Sequence, residues 1–395
     1  MRLLHTSDWH LGRTFHGGSL AREQAAMIDS LVEMACASEV DAVVIAGDLF
    51  DRAIPPLDAI SLFEDAVARL RDTGAAVIAI SGNHDSHRRV SVHDRLLAAA
   101  GVTIRGDVRR VAEPVIVTPA VGGPTVAVYP VPYLDPPAAD TLLGDADSPV
   151  AGGTPARSRP SADAITRRAL GLIRSDLRAR PGVRSVVVAH AFVTGGHPSD
   201  SERDLSIGDV DYVALDAFDG LDYVALGHLH GPQAFAEGRV AYSGSPLPYS
   251  FSEERHHKSA RLVVMDHDGS LTIEQLPIDV GMRLRSLRGR LDDLLRDPTL
   301  AEAEGALVRA VLTDDHLPHQ AMVRLRRRFP RAVELRHEPD ERLDLTEPVR
   351  THHRREATPL ELVSSFWTDQ HGARPTDAES ALIAEALTAQ LGTGS

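Results

Sequence analysis

The stretch YVALGHLH, Tyr223 to His230, sets a run of strand-forming apolar residues directly against two histidines one residue apart. A short apolar run closed by glycine reads as a buried strand. The same order recurs along the chain. RLLHTS (2–7) runs into Asp8 and His10, DAVVIAGD (41–48) ends in Asp48, AAVIAISG (75–82) is followed by Asn83 and His84, and RSVVVAH (184–190) ends in His190. TVAVYPV (125–131) adds a strand without such residues. Between the early strands, AREQAAMIDSLVEMACAS (21–38) and PLDAISLFEDAVARLRDTG (56–74, stopping at Gly74) carry apolar residues at helical spacing. Strands alternating with helices predict a layered α/β domain. Ligand-type residues at the carboxyl ends of strands fit the crevice where α/β sheets bind.

The 395 residues allow two to three domains, and 43% hydrophobic residues suffice for a sizeable core. One cysteine, Cys36, excludes an intrachain disulfide and points to a reducing compartment; its helical setting predicts a small buried hydrophobe. The opening MRLLHTSDWH meets His5 and Asp8 too early for a signal-peptide core, and no apolar run approaches the ~20 residues of a membrane helix. The expectation is a soluble, cytoplasmic protein without a membrane partner. Net charge is −14 and Lys258 is the sole lysine. Phosphate neutralisation dominates nucleic-acid affinity, so a DNA-handling role requires bound metal or a partner to supply positive field.

KSARLVVMDHDGSLTIEQLPI (258–278) reads as a hairpin turning at Asp268-Gly269. The Gly-, Pro-, Ala- and Ser-rich stretch Leu142 to Ala164 reads as an excursion loop, after which Ser161 caps a helix carrying Ile165, Ala169, Leu172 and Ile173. The expected domains are 1–280, a capping unit at 281–340, a linker at 341–357 and a helical tail at 358–395. In the capping unit, SLRGRLDDLLRD (286–297) looks helical, GALVRAVLTD a strand, PHQAMVRLRRRFP a helix and AVELRHE a strand, an α-β-α-β order. Leu360, Leu362, Val363, Phe366 and Trp367 in the tail need something to cover them.

In an extended segment, residues i and i+2 point to one side about 6–7 Å apart. His228 and His230 can then each take a different ion of a pair separated by about 3.5–4 Å. Asp8 and His10 repeat the spacing and converge on one ion, and Asp48, between glycine-permitted turns, is the candidate bridge. Each piece alone has a plainer reading: a capping aspartate for D-x-H, a simple turn for GNHD. Mixed imidazole and carboxylate ligation suits manganese, iron or zinc better than magnesium.

On these motifs the chain resembles the calcineurin-like metallophosphoesterase superfamily, whose pattern D-x-H, G-D-x-x-D, G-N-H-D/E, H, G-H-x-H it carries in order. HTSDWHLGRTFHG, GDLFDRAIPP, SDSERDLSIGDVDYV, LDYVALGHLHGPQ and YSGSPLPYSFSEE resemble the SbcD family of bacterial double-strand-break repair nuclease subunits, over all but about 142–164. The resemblance implies a layered β-sandwich flanked by helices, with a small α/β capping domain facing DNA. It implies two manganese ions, one held by Asp8, His10, Asp48 and His230, the other by Asp48, Asn83, His190 and His228. His84 is then a catalytic residue beside the scissile phosphate. Where archaeal relatives have a second histidine after the bridging aspartate, this chain has Asp51, a residue placed to orient a ligand. The implied activity is double-stranded DNA exonuclease and hairpin endonuclease in repair, recombination and replication. The implied partner is an SbcC-type coiled-coil ATPase that uses the ATP and binds the tail, with a homodimer inside a heterotetramer. The alternatives are another phosphodiesterase or phosphatase of the superfamily, or a non-catalytic assembly subunit.

Other features carry open readings. His87, Arg88 and Arg89 are either solvated or phosphate contacts, and RLRRRFP (324–330) is a DNA-facing helix or a solvated face. PLDAISLFEDAVARL is a dimer surface or core. EERHHKSA, with His256, His257 and Lys258, reads as a hairpin edge that discourages aggregation.

Overall fold

The computed structural model describes residues 1–143, 160–202, 212–339, 358–371 and 373–391. Most of the 142–164 excursion, and the 341–357 linker with His352 and His353, lie outside the described residues.

The chain opens with β1 (Arg2–Thr6), a short hairpin of β2 (Thr14–Phe15) and β3 (Gly18–Ser19), α1 (Ala21–Ala37) and β4 (Ala42–Ile45). There follow α2 (Leu57–Asp72), β5 (Ala76–Ile80), the short α3 (His87–Val90) and α4 (Asp94–Ala98), and β6 (Val102–Arg105). A second run holds β7 (Val115–Val117), β8 (Val126–Pro130), α5 (Pro136–Leu143), α6 (Ala162–Arg178) and β9 (Arg184–His190). It continues through β10 (Tyr223–Gly227), β11 (Gln233–Phe235) and β12 (Val240–Tyr242). The hairpin of β13 (Ser259–Met265) and β14 (Leu271–Pro277) then returns to the first sheet.

Two six-stranded sheets result, ordered β14-β13-β1-β4-β5-β6 and β11-β12-β10-β9-β8-β7. The central strands are parallel, and antiparallel pairs close the edges at β13, β14, β7 and β11. Leu3, Val44 and Ile78 face Val128, Val188 and Ala225 in a core between the sheets. Leu4, Val43 and Val77 turn the other way, onto Met27 of α1 and Phe63 of α2. Central strands are therefore covered on both faces, which is why they read as unbroken apolar runs rather than alternating ones. The layered α/β sandwich is as expected.

α6 covers the second sheet through Ile165, Ala169 and Ile173, and Ser161 Oγ accepts from Ala164 N at 3.2 Å as its cap. Leu172 departs from expectation at 44% exposed, because it falls at the margin of that buried stripe. In α2, Ala59, Phe63, Ala66 and Leu70 are buried in the core, while Leu57 of the same stretch is exposed. Cys36 is exposed, not buried; Ala35 takes the inward position of that turn.

The next unit consists of β15 (Leu284–Gly289), α7 (Leu291–Arg296), β16 (Leu307–Leu312), α8 (Ala321–Arg328) and β17 (Ala332–His337). Its three strands are parallel, in the order β15-β16-β17. The expected α-β-α-β order is corrected here, since the first four residues of SLRGRLDDLLRD are strand. Leu287, Leu291 and Leu294 imitate a helical stripe, but residues 284–289 pair in register with 307–312, and that ladder overrides local periodicity. Three of the four arginines in the basic run of α8 have partners within the unit, and Arg327 is exposed. Arg324 pairs with Asp292, Arg326 Nε donates to Ala332 O, and Arg328 pairs with Glu304. Beyond it are α9 (Pro359–His371) and α10 (Asp377–Leu391), with Leu360, Leu362 and Phe366 exposed. No helix among the described residues is long and apolar enough to cross a membrane.

The two sheets touch where β10 ends. A Cβ on Gly227 would lie 1.8 Å from the Ala46 carbonyl oxygen, whereas one on Gly171 in α6 would meet nothing within 4 Å. Gly227→Ala is therefore expected to lower stability by about 2–3 kcal/mol through overpacking. Gly171→Ala should raise it by about 0.5–1 kcal/mol through helix propensity. Urea unfolding midpoints of the two variants read both signs.

Candidate metal centre

β1, β4, β5, β9 and β10 all deliver their carboxyl ends to one edge of the sandwich, where the chain leaves regular extended geometry. Asp8 (φ 54°), His10 (φ 45°), Asp48 (φ 49°) and His228 (φ 111°) are all in positive-φ backbone. This corrects the simple i, i+2 picture of His228 and His230. β10 stops at Gly227, and His228 turns out of the strand because its N–H donates to both oxygens of Asp8, at 3.0 and 3.1 Å. Gly82 makes the neighbouring turn possible, since a Cβ there would lie 2.2 Å from Asp48 Oδ1.

The side chains converge around Asp48. Its Oδ2 is 3.7 Å from His10 Nε2, 3.5 Å from His190 Nε2 and 3.9 Å from His84 Nε2. On one flank His10 Nε2 faces His230 Nε2 at 3.1 Å; on the other His190 Nε2 faces Asn83 Oδ1 at 2.8 Å. Three sets of donor atoms lie within 4.8 Å of one another: Asp8, His10 and His230; Asp8, Asp48 and His190; His10, Asp48 and His84. Seven of the eight residues singled out in the sequence thus meet in these groups and their flanking pairs. His228 is buried beside them, its ring edge-on to His190 at 5.4 Å.

Three of the imidazoles, those of His190, His84 and His230, are oriented from behind. His190 Nδ1 donates to Ala46 O at 2.9 Å, and His84 Nδ1 to Asp51 O at 2.8 Å. Asp51 does orient a site residue, through its backbone carbonyl rather than its carboxylate. Asp85 accepts from the N–H groups of Leu49, Phe50 and Gly82 at 2.9–3.0 Å, fixing the two turns that carry Asp48 and Asn83. His230 has the most support. Its N–H donates to Glu202 at 2.7 Å, and its Nδ1 meets Ser201 Oγ at 2.6 Å and Glu253 at 3.4 Å. Behind Glu253 stands Lys258, buried, paired to that carboxylate and donating to His230 O and Ser245 Oγ at 2.9 Å each. Lys258 is a strut under the centre, not an edge lysine as its sequence setting predicted.

The donor set fits divalent cations. With Nδ1 donating to a carbonyl, His190 turns a lone pair towards the Asn83 amide oxygen, so two acceptors oppose each other at 2.8 Å. A cation between them resolves that conflict. His10 Nδ1 and Asn83 Nδ2 are buried without a hydrogen-bond partner among the described residues. Burial, with His230 and His84 next in importance, holds His10 well below the usual imidazole range; burial and His190 do the same to His228. Both rings are therefore neutral and available as ligands. Burial pushes Asp8 up to about 6, against His190 and His230, with Asp48 adding to the rise. A compensating cation removes that penalty. Burial acts to lower His230, yet the hydrogen bond and charge of Glu253 outweigh it and raise the ring.

Sequence reasoning missed Ser201, Glu202, Glu253, Lys258 and Asp85. Asp85 had a signal, as the last residue of GNHD. Ser201, Glu202 and Glu253 lie in stretches whose only mark was the resemblance of SDSERD and SFSEE, and Lys258 was read as an edge lysine.

Residues 1–232 match the calcineurin-like phosphoesterase family, and residues 280–371 match the SbcD_C family, described as the Type 5 capsule protein repressor C-terminal domain. Among solved structures, TT1561 of Thermus thermophilus is 13% identical, with 69% of this chain and 98% of that one covered and a TM-score of 0.37. Phosphopantetheinyl hydrolase (PptH) from Mycobacterium tuberculosis is 16% identical, covering 64% and 91%, with a TM-score of 0.35.

The buried pair under His230 gives a direct stability test. Lys258→Met strands a buried carboxylate and is expected to cost about 3–5 kcal/mol. The double change Glu253→Gln with Lys258→Met should recover most of that loss. The check is a double-mutant cycle of unfolding free energies.

Proposed function

Because the chain belongs to the calcineurin-like phosphoesterase family, we propose that it is the nuclease subunit of an SbcCD-type complex, hydrolysing phosphodiesters of DNA. The observation that carries this reading is the pair of opposed donor sets, His10 with His230 and His190 with Asn83, on either side of Asp48. In this assignment Asp8, His10, Asp48 and His230 hold one ion, and Asp48, Asn83, His190 and His228 hold the other. Manganese is the assigned metal, in keeping with mixed nitrogen and oxygen donors. When bound, such a pair supplies Lewis-acid polarisation of the phosphoryl group and activation of water.

The chain's own groups do the rest. Asp48 keeps the two sets in register through one carboxylate, and His84 N donates to its Oδ1 at 2.9 Å. The Asp51 carbonyl sets the His84 tautomer, so that Nε2 is the atom directed to the substrate side. Protonated there, it gives its proton to the departing oxygen. Arg13, packed over the Tyr249 ring at 4.8 Å, adds a fixed cation close to His10. The SbcD_C match supports the choice of DNA and of an SbcC-type ATPase as partner. The exposed Leu360, Leu362 and Phe366 of α9 are the surface assigned to that partner. ATP is used by the partner, and the unit at 281–340 caps the DNA.

Hairpin and linear duplex DNA should be cut by the purified chain with manganese, more strongly with the co-expressed ATPase and ATP. His84→Ala is expected to lower kcat about 10²–10⁴-fold with bound metal unchanged by elemental analysis, whereas Asp48→Ala should lose metal and activity together. If both DNAs survive every condition while a simple phosphodiester is hydrolysed, the phosphoesterase assignment stands and the DNA assignment fails.

A further inference from the structure

A cavity of about 610 Å³ opens beside the metal centre, among the loop after β5, the turn at 106–109 and α5. Asn83 belongs to both: its Oδ1 faces His190, and the residue lines the cavity. The remaining lining mixes three kinds of chemistry. Val108 and Ala139 are buried apolar surface, and the Tyr133 ring stands edge-on to His190 with centroids 6.2 Å apart. Ser81 is 1% exposed, yet its Oγ has no hydrogen-bond partner among the described residues, and neither has Asn83 Nδ2. Arg88 is exposed and contributes to the lining from α3.

Unanswered polar groups buried against apolar surface are costly unless something else satisfies them. What suits this site is a planar group, apolar on its faces and hydrogen-bonding along its edge, tethered to a phosphate. We infer that the cavity receives an unpaired nucleobase of the strand whose phosphodiester lies at the metal centre, an inference that rests on the phosphodiesterase reading above. Tyr133 supplies aromatic surface for the base, Ser81 and Asn83 meet its edge, and Arg88 faces the next phosphate. A base still paired in a duplex has its edge occupied and cannot enter, so the cavity selects frayed ends and hairpin loops over intact helix.

The test compares thymidine 5′-(4-nitrophenyl phosphate) with methyl 4-nitrophenyl phosphate, which carries no base. The expected result is kcat/KM about tenfold higher for the nucleoside ester, the scale of one stacked base. Ala138→Trp, at an exposed position of α5 on the cavity, should erase that preference and leave methyl-ester hydrolysis unchanged; Tyr133→Leu should narrow it. No preference in the unaltered protein, or a preference that survives Ala138→Trp, overturns the inference. If neither ester is hydrolysed, it is the phosphodiesterase reading that fails, and binding of 2-aminopurine deoxyribonucleoside monophosphate decides the cavity. Saturable quenching lost in Ala138→Trp supports it, and quenching that is absent or equal in the two proteins overturns it.

Discussion

The contact between Asp8 and the His228 N–H governs this architecture. Asp8 ends the first strand of one sheet, and its two oxygens accept a proton donor from the end of a strand in the other. Beside it, Gly227 lets the second sheet approach the Ala46 carbonyl more closely than any side chain permits. Within each group of three donors the atoms lie within 4.8 Å of one another. Sliding one sheet against the other by a single residue is a displacement of about 3.3 Å. That is enough to pull such a group apart, so the centre exists only while the two sheets are locked at this edge. The apolar layer between the sheets provides cohesion, but burial is indifferent to small translations. The polar seam sets the register.

Charge is distributed with a corresponding logic. The chain is strongly acidic, and its sole lysine is buried beneath His230 rather than turned to a substrate. Three of the four arginines in the densest run find partners inside their own unit. Few fixed cations remain near the centre, and the rings of His10 and His228 are kept neutral by burial. Attraction for a polyanion at this site is therefore left largely to bound cations, with Arg13 the fixed charge beside His10. Recognition of phosphate and occupancy by metal become one event.

Much of this was legible in the sequence, for physical reasons. Strands covered on both faces need unbroken apolar runs, so β1, β4, β5, β9 and β10 announce themselves, and their carboxyl ends mark where ligand-type residues gather. The residues that hold these side chains in place were not legible. Glu253 and Lys258 are close in sequence but reach His230 only through the fold, and a lysine beside two histidines looks like an exposed edge until its burial is seen. The helical reading of residues 286–297 failed because leucines three and four apart satisfy a strand followed by a helix as well as one helix; only the parallel ladder with β16 decides. Cys36 and Leu172 show the same limit, since a helical stripe fixes a face but not its margins.

The left-handed backbone at Asp8, His10, Asp48 and His228 carries a further consequence. A residue with a Cβ held there costs on the order of 1 kcal/mol relative to glycine. Four such residues sit side by side, and all four are among the seven proposed to bind metal. Drift towards glycine at His10 or His228 would relax the backbone while keeping the backbone N–H that Asp8 accepts, and so leave the layered core undisturbed. Such a chain would fold and pass any test of solubility while doing no chemistry. Selection for a stable fold and selection for a working centre pull in opposite directions at these residues, so their identities persist only while the activity itself is under selection.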